Sequence, residues 1–198
     1  MAVFFLYNCF MKKLLTIILA IYTVNSIAQT KELKLGDQIS NFKSISDNGK
    51  PWALNTVKSD FIVVYFYPAA MTSGCTKQAC EYRDNKTTFD KMSVTVIGIS
   101  GDEPKNLQYF KDTYDLNFTL LSDKEGSIAK KFGVPLRDGG SIDREIQGEQ
   151  ISLFRGVTPK RWTFILDKDR RIVYRNDAVN ASEDSKTVQQ FIEDYYKR

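Results

Sequence analysis

A buried strand that leads directly into an amphipathic helix constrains the fold of this chain more than any other feature. Residues 61–67 form an unbroken run of β-branched and aromatic side chains, which is typical of a strand with both faces covered. Residues 93–100 form a second such run, and residues 74–92 between them place apolar side chains at near-helical spacing among charged ones. Strand, helix and strand in this order predict a βαβ unit with parallel strands.

The remaining segments alternate in the same way and predict a single α/β domain over residues 31–198. Further helices are predicted over residues 103–114, 124–132 and 183–197, and two strands joined by a tight turn are predicted over residues 161–167 and 171–175. Residues 134–156 have little periodicity and several glycines, so we expect a long loop there, interrupted at most by a short strand over residues 149–154.

The N-terminal segment has the pattern of an export signal. Met11-Lys12-Lys13 precedes an apolar run, and small side chains follow at Ser26 and Ala28. This run has about eleven residues, too few to cross a bilayer of about 30 Å, so a cleaved signal peptide over residues 1–28 is favoured over a stable membrane anchor. Residues 1–10 are interpreted either as an over-extended start or as a longer apolar prefix. The expected location of the mature chain is the periplasm.

The charged residues and the missing histidine exclude several classes of function. The chain has 28 basic and 24 acidic residues, without the cluster of Lys and Arg that marks a nucleic-acid-binding face, so no nucleic-acid partner is expected. The sequence contains no His, which excludes Ser-His and Cys-His nucleophile pairs and any zinc site with a His ligand. No metal or other cofactor is expected, and the chemistry must come from other side chains.

A cysteine at the junction of the first buried strand and its helix is the strongest candidate for that chemistry. Cys75 follows Pro68 and Thr72 and is predicted to lie in the first turn of the helix. Unpaired N–H groups and the positive end of the helix dipole favour a thiolate there, and the thiolate is the nucleophilic form of cysteine. Thr72 can offer its hydroxyl to the sulfur or to a bound oxygen, or it can cap the helix. A second cysteine, Cys80, follows five residues later.

These residues resemble the signature of the peroxiredoxins, and most closely that of the Q-type or bacterioferritin-comigratory-protein subgroup. The resemblance is carried by residues 65–84, which contain Pro68, Thr72, Cys75 and Cys80 in the family spacing Pro-x-x-x-Thr-x-x-Cys, and by Arg161, which precedes a Trp-Thr-Phe strand. Ser73 departs from the subgroup, where proline is usual. The resemblance extends from about Leu35 to the C-terminal helix.

The resemblance implies a thioredoxin-like fold, with a central mixed β-sheet flanked by helices, and a peroxidase that reduces hydrogen peroxide and organic hydroperoxides. It makes Cys75 the peroxidatic cysteine and Thr72 the catalytic threonine, with Pro68 in the same signature and Arg161 completing the site. On physical grounds we expect Arg161, which is always charged, to hold the thiolate and to polarise the O–O bond of the peroxide. The resemblance makes Cys80 the resolving cysteine, which forms an intramolecular disulfide with Cys75. It also implies a thioredoxin-like reductant, and we expect a monomer or weak dimer.

Alternatives to these roles remain open at this stage. Arg161 is otherwise a surface residue of its strand, and Cys80 is otherwise a buried core thiol, in which case an external thiol would resolve Cys75. A different function is an exported thioredoxin-like thiol-disulfide oxidoreductase, although such proteins normally carry Cys-x-x-Cys, whereas four residues separate Cys75 from Cys80. A binding protein with a static Cys75–Cys80 disulfide is a third possibility.

Overall fold

A computed structural model describes residues 33–197 of the chain. Its strands in chain order are β1 (Lys43–Ser46), β2 (Pro51–Ala53), β3 (Phe61–Phe66), β4 (Val94–Ser100), β5 (Thr119–Ser122), β6 (Leu136–Ile146), β7 (Glu149–Pro159), β8 (Trp162–Asp167) and β9 (Ile172–Asn176). Its α-helices are α1 (Ser73–Asp84), α2 (Lys86–Lys91), α3 (Pro104–Thr113), α4 (Ser127–Lys131) and α5 (Asp184–Tyr196). The predicted signal peptide lies outside the described residues. Among the residues described, none of the helices is long and apolar enough to cross a membrane.

Seven strands form one mixed sheet in the order β2-β1-β5-β4-β3-β8-β9. β3 runs parallel to β4, and β4 runs parallel to β5, so the predicted βαβ unit is confirmed. β8 pairs antiparallel with β3 on the other side and with β9 at the edge, as the predicted tight turn between them requires. The sheet places β3, the strand that leads to Cys75, between two strands near its centre.

Both faces of the sheet are covered, which explains the unbroken apolar run of β3. Phe61, Val63 and Tyr65 point into the core that β3 shares with α1, α3 and α5. The alternate residues Ile62 and Val64 point into a second core with α4 and with residues that flank β1 and β2, among them Phe42 and Leu54. Successive side chains of a strand point to opposite faces of the sheet. A strand that is buried on both faces therefore favours apolar side chains at every position.

The single helix predicted over residues 74–92 is wrong, because the chain bends at Asn85 between α1 and α2. The Asn85 side chain does not cap either helix but donates a hydrogen bond to Ser185 Oγ in α5, with a length of 2.8 Å. Asn favours such helix boundaries because its side chain competes with the helical backbone bonds. The bend still leaves Phe89 of α2 fully buried in the core.

The long loop predicted over residues 134–156 is also wrong, because β6 and β7 form a β-hairpin there, although the short strand predicted over residues 149–154 does lie within β7. Gln147 and Gly148 connect the strands, both with positive φ, as a two-residue type I′ turn requires. Most positions of the hairpin are exposed or only partly buried, so its sequence lacks the apolar run of a central strand. The buried exceptions are Ile146, Leu153, Thr158 and Pro159, and the first two join the core that contains Cys75.

Candidate active site

Cys75 lies where the sequence predicts it, in the first turn of α1. The chain leaves β3 at Phe66, passes through residues 67–72 and enters α1 at Ser73, so Cys75 is the third residue of the helix. Its side chain is 1% exposed. Main-chain N–H groups in a first turn have no helical acceptor, and together with the helix dipole they favour a negative charge on a nearby sulfur.

Arg161 is brought to Cys75 by the pairing of β3 with β8. Phe66 and Trp162 are partners at the end of β3 and the start of β8, so Arg161 lies beside the point where the chain leaves β3. Its Nη2 donates to Cys75 Sγ over 3.3 Å, and its Nη1 donates to Gln78 Oε1 over 2.6 Å. Arg161 is therefore not merely a surface residue of its strand, since its guanidinium contacts the sulfur directly.

Gln78 connects Arg161 to a buried acid that sequence reasoning missed. Gln78 is fully buried, one turn beyond Cys75, and its Nε2 donates to Asp184 Oδ2 over 2.7 Å. Tyr82 and Thr163 donate to the same oxygen from hydroxyls at 2.7 and 2.8 Å. Asp184 is the first residue of α5, where an acidic residue is ordinarily interpreted as a partner of the helix dipole, so a single sequence gives no signal for this contact.

Burial raises the pKa of Asp184, while the hydrogen bonds from Tyr82, Thr163 and Gln78 and the charge of Arg161 oppose that rise. The same carboxylate contributes, after burial, to a pKa of Tyr82 well above its usual value. For Tyr65, burial and then the charge of Cys75 raise the pKa well above its usual value, with a smaller contribution from Asp184. Among the charges that act on Asp184 and Tyr65, that of Arg161 is the positive one, and it lowers the pKa of both groups.

The segment before Cys75 is fixed from two sides. Thr72 precedes α1 in an extended conformation, and its hydroxyl donates to Ala69 O over 2.9 Å instead of capping the helix, so the capping alternative is wrong. Ala70 N donates to the buried carboxylate of Asp102 over 2.9 Å. Met71 has a φ of 61°, and its carbonyl accepts a hydrogen bond of 3.0 Å from Arg144 Nε of the hairpin.

Pro68 and Cys80 flank this arrangement without a direct bond to Arg161. Pro68 is half-buried and directly follows Tyr67, a buried residue just beyond the end of β3. Cys80 is a free thiol on α1 and is half-buried, so the alternative of a fully buried core thiol is wrong. Burial raises the pKa of Cys80, and the nearby Arg83 lowers it. Among residues 33–197, no group of three or more acidic or cysteine side chains is placed to hold a metal ion.

The sequence profile of the AhpC/TSA family matches residues 35–175. The chain belongs to the AhpC/TSA family. This range contains the whole strand-to-helix junction and Arg161, and the resemblance to peroxiredoxins is confirmed. Among relatives, chloroplastic peroxiredoxin Q of Populus jackii is 38% identical over 162 residues, which cover 80% of this chain and 68% of the relative.

Other members of the AhpC/TSA family support the same grouping. Chloroplastic peroxiredoxin Q of Oryza sativa subsp. japonica is 40% identical over 139 residues, which cover 70% of this chain and 57% of the relative. The chain thus spans little more than half to two thirds of the length of these plant relatives. A crystal structure of peroxidoxin BcpB from Mycobacterium tuberculosis superposes with a TM-score of 0.67 and 30% identity, over 82% of this chain and 97% of that one.

This structural match confirms the thioredoxin-like fold, a central mixed sheet with flanking helices in one domain. The chain thus groups with the peroxiredoxin Q relatives within the AhpC/TSA family.

Proposed function

We propose that this chain is a thiol peroxidase that reduces hydrogen peroxide and organic hydroperoxides, with Cys75 as the attacking residue. The observation that carries this proposal is the 3.3 Å contact between Arg161 Nη2 and Cys75 Sγ in the first turn of α1. A guanidinium is always charged and has only donors, so it favours the thiolate over the thiol and can also donate to a peroxide oxygen.

In the first step the Cys75 thiolate attacks the terminal oxygen of ROOH. An S–O bond forms as the O–O bond breaks, the sulfur is oxidised to a sulfenic acid, and the alkoxide takes up a proton and leaves as ROH. Charge develops on the departing oxygen, where Arg161 and the hydroxyl of Thr72 are the available donors. Thr72 would turn its hydroxyl from Ala69 O, its present acceptor, toward the bound peroxide. Pro68 fixes the path of the segment that shapes the pocket.

In the second step Cys80 resolves the sulfenic acid. Its sulfur attacks that of Cys75, an S–S bond forms, the S–O bond breaks and the hydroxyl leaves as water. Both cysteines lie on the intact helix α1, where Cα atoms five residues apart are separated by about 9 Å. A disulfide requires roughly 4.4 to 6.8 Å, so α1 must unwind locally. Unwinding also exposes Cys80 and removes the burial that raises its pKa, which increases its thiolate fraction.

The cycle closes when a thioredoxin-like dithiol reduces the Cys75–Cys80 disulfide and is itself oxidised. The partial exposure of Cys80 supports this step, because a second protein can approach that sulfur more readily than the buried Cys75. The signal pattern over residues 1–28 supports export to the periplasm, where a thioredoxin-like reductant of that compartment would be needed.

Single-turnover mass spectrometry tests the proposal. Reduced protein is mixed with one equivalent of hydrogen peroxide and digested, and the peptides that contain Cys75 and Cys80 are followed in the wild type, Cys75→Ser and Cys80→Ser. We expect a Cys75–Cys80 disulfide in the wild type, a Cys75 sulfenic acid in Cys80→Ser, and no oxidation at either position in Cys75→Ser. If Cys75 is inert to peroxide but the wild type rapidly reduces insulin disulfides, the chain is a thiol-disulfide oxidoreductase instead.

A further inference from the structure

Asp184 is a buried acid that the steps above do not use. Its side chain is 1% exposed, and one carboxylate oxygen accepts three hydrogen bonds, from Gln78, Tyr82 and Thr163. The other oxygen, Oδ1, is buried and has no hydrogen-bond partner among the described residues. Burying a charge in this way is costly unless it is compensated, so the retention of a carboxylate here requires a reason other than packing.

The bond from Gln78 fixes which way that amide points. An ionised carboxylate only accepts hydrogen bonds, so Gln78 must direct its NH2 group toward Asp184. Its carbonyl oxygen then faces Arg161, whose guanidinium has only donors and needs an acceptor at that position. The reversed amide would place donor against donor at Arg161. Asp184 and Arg161 therefore fix the orientation of Gln78 from its two ends, and Gln78 anchored on Asp184 holds one arm of Arg161.

We propose that Asp184 is a positioning residue that, through Gln78, holds the guanidinium of Arg161 against the sulfur of Cys75. These hydrogen bonds form a continuous relay: 2.7 Å from Asp184 to Gln78, 2.6 Å from Gln78 to Arg161, and 3.3 Å from Arg161 to Cys75. Three elements supply it, since α5 carries the acid, α1 carries Gln78 and Cys75, and Arg161 directly precedes β8. The consequence for peroxide reduction rests on the proposed function, but the effect on the reactivity of Cys75 does not.

The charges around Asp184 agree with this role. The titratable groups that act on it or respond to it are Arg161, Tyr65, Tyr82 and Tyr174, and the neutral donors Gln78 and Thr163 complete its surroundings. Arg161 is the only cation in this set, and it acts on Asp184 across Gln78. A carboxylate that served only to stabilise α5 would not need a bond to an amide whose other end holds Arg161.

The test compares Asp184→Asn with Ser185→Ala. Asn matches Asp in size but accepts hydrogen bonds as a neutral amide, which holds the NH2 group of Gln78 more weakly than a carboxylate does. Ser185 is equally buried, at 1% exposure, in the same turn of α5, and its hydroxyl bonds to Asn85 and Glu81 rather than to the relay. The readout is the rate at which iodoacetamide alkylates Cys75 between pH 5 and 9, resolved by peptide mass spectrometry, a range of about four pH units around the ordinary titration of a thiol.

We expect Asp184→Asn to lower the alkylation rate of Cys75 at neutral pH by about five- to tenfold. Ser185→Ala should leave the rate and its pH profile unchanged. In a Gln78→Leu background, which breaks the relay, Asp184→Asn should have no further effect on the rate. Gln78→Leu alone should reproduce the loss, which keeps the test decisive if Asp184→Asn does not fold.

An unchanged profile in a folded Asp184→Asn would overturn the proposal, as would equal effects of Asp184→Asn with and without Gln78. Because no peroxide is used, this outcome is separate from the proposed function. If Asp184→Asn slows alkylation but the wild type does not reduce peroxide, the positioning role of Asp184 stands and the proposed peroxidase function is wrong. If the wild type reduces peroxide but Asp184→Asn leaves the alkylation profile unchanged, the peroxidase function stands and the positioning role is wrong.

Discussion

Phe66 and Trp162 are cross-strand partners where β3 ends and β8 begins. Because the two strands are antiparallel, β3 ends and β8 begins at the same edge of the sheet. Cys75, which follows β3, and Arg161, which precedes β8, are therefore brought to that edge. Two residues that are 86 positions apart thereby meet within 3.3 Å. The register of one strand pair thus sets the position of the cation relative to the sulfur, and a change of one residue would turn Arg161 to the other face of the sheet.

Arg161→Lys should slow the reaction of Cys75 with hydrogen peroxide by about ten- to a hundredfold, as measured by stopped-flow under single-turnover conditions. Lys retains the charge but cannot donate to Cys75 and Gln78 at once from a planar fork. Arg171→Lys is the matched control, because Arg171 is an exposed residue of the tight turn that donates to Gly36 O. A rate within twofold of the wild type for Arg161→Lys would remove the forked contact from the mechanism.

Oxidation should unwind the first turns of α1. On an intact helix the Cα atoms of Cys75 and Cys80 are about 9 Å apart, which exceeds the distance that a disulfide can bridge. Gln78 lies between the two cysteines, so unwinding must also break its hydrogen bonds to Arg161 and Asp184. Amide hydrogen exchange should therefore be faster over residues 74–84 in the oxidised protein than in the reduced one, and α3 serves as the internal control. Equal protection of residues 74–84 in both states would exclude an intramolecular disulfide between these cysteines.

The sequence predicts the parts of the site that lie close together along the chain. The apolar run of β3 followed by an amphipathic segment places Cys75 in a first helical turn, because strand and helix periodicities are local properties. Arg161 enters only through the resemblance to a family, since its contact depends on the pairing of β8 with β3. Asp184 has no local signature, because an acid at the start of a helix is ordinarily exposed and stabilises the helix dipole.

The two errors in the fold have a related cause. The chain bends at Asn85, whose side chain donates to Ser185, 100 residues away, and no periodicity within residues 74–92 reports this contact. The β6–β7 hairpin is held mostly by pairing between its own strands and has few buried side chains, so neither an apolar run nor a clean alternation marks it. Hydrophobic patterns identify the elements that build a core, whereas contacts of polar groups over long sequence separations escape them.

Arg144→Ala should loosen the segment before Cys75 without unfolding the protein. Arg144 ties the hairpin to Met71 O through one partly exposed hydrogen bond, so its loss should lower the free energy of unfolding by about 1 kcal/mol or less. Exchange of the amides of residues 69–72 should become about fivefold faster. Glu145→Ala, a change at the adjacent exposed position of the hairpin, should have no effect on these amides, and the same result for Arg144→Ala would mean that the hairpin does not restrain the segment.

The Asp184→Asn variant should become more stable relative to the wild type as the pH rises. Burial raises the pKa of Asp184 above its ordinary value of 3.8, so between these two values the native state binds more protons than the unfolded state. The free energy of unfolding of the wild type therefore falls with increasing pH in this window, and the penalty persists at higher pH. Asn has no charge to bury and is free of this penalty.

Urea denaturation at a series of pH values from about 3.8 upward checks the sign of this difference. We expect the stability of Asp184→Asn minus that of the wild type to grow with pH and to level off once the carboxylate is fully ionised. A variant whose stability falls further below that of the wild type as the pH rises would show that the contact of Asp184 with the α5 dipole outweighs its burial. A gain in stability together with a loss in Cys75 reactivity is the outcome expected of a charge that is retained for the position of Arg161.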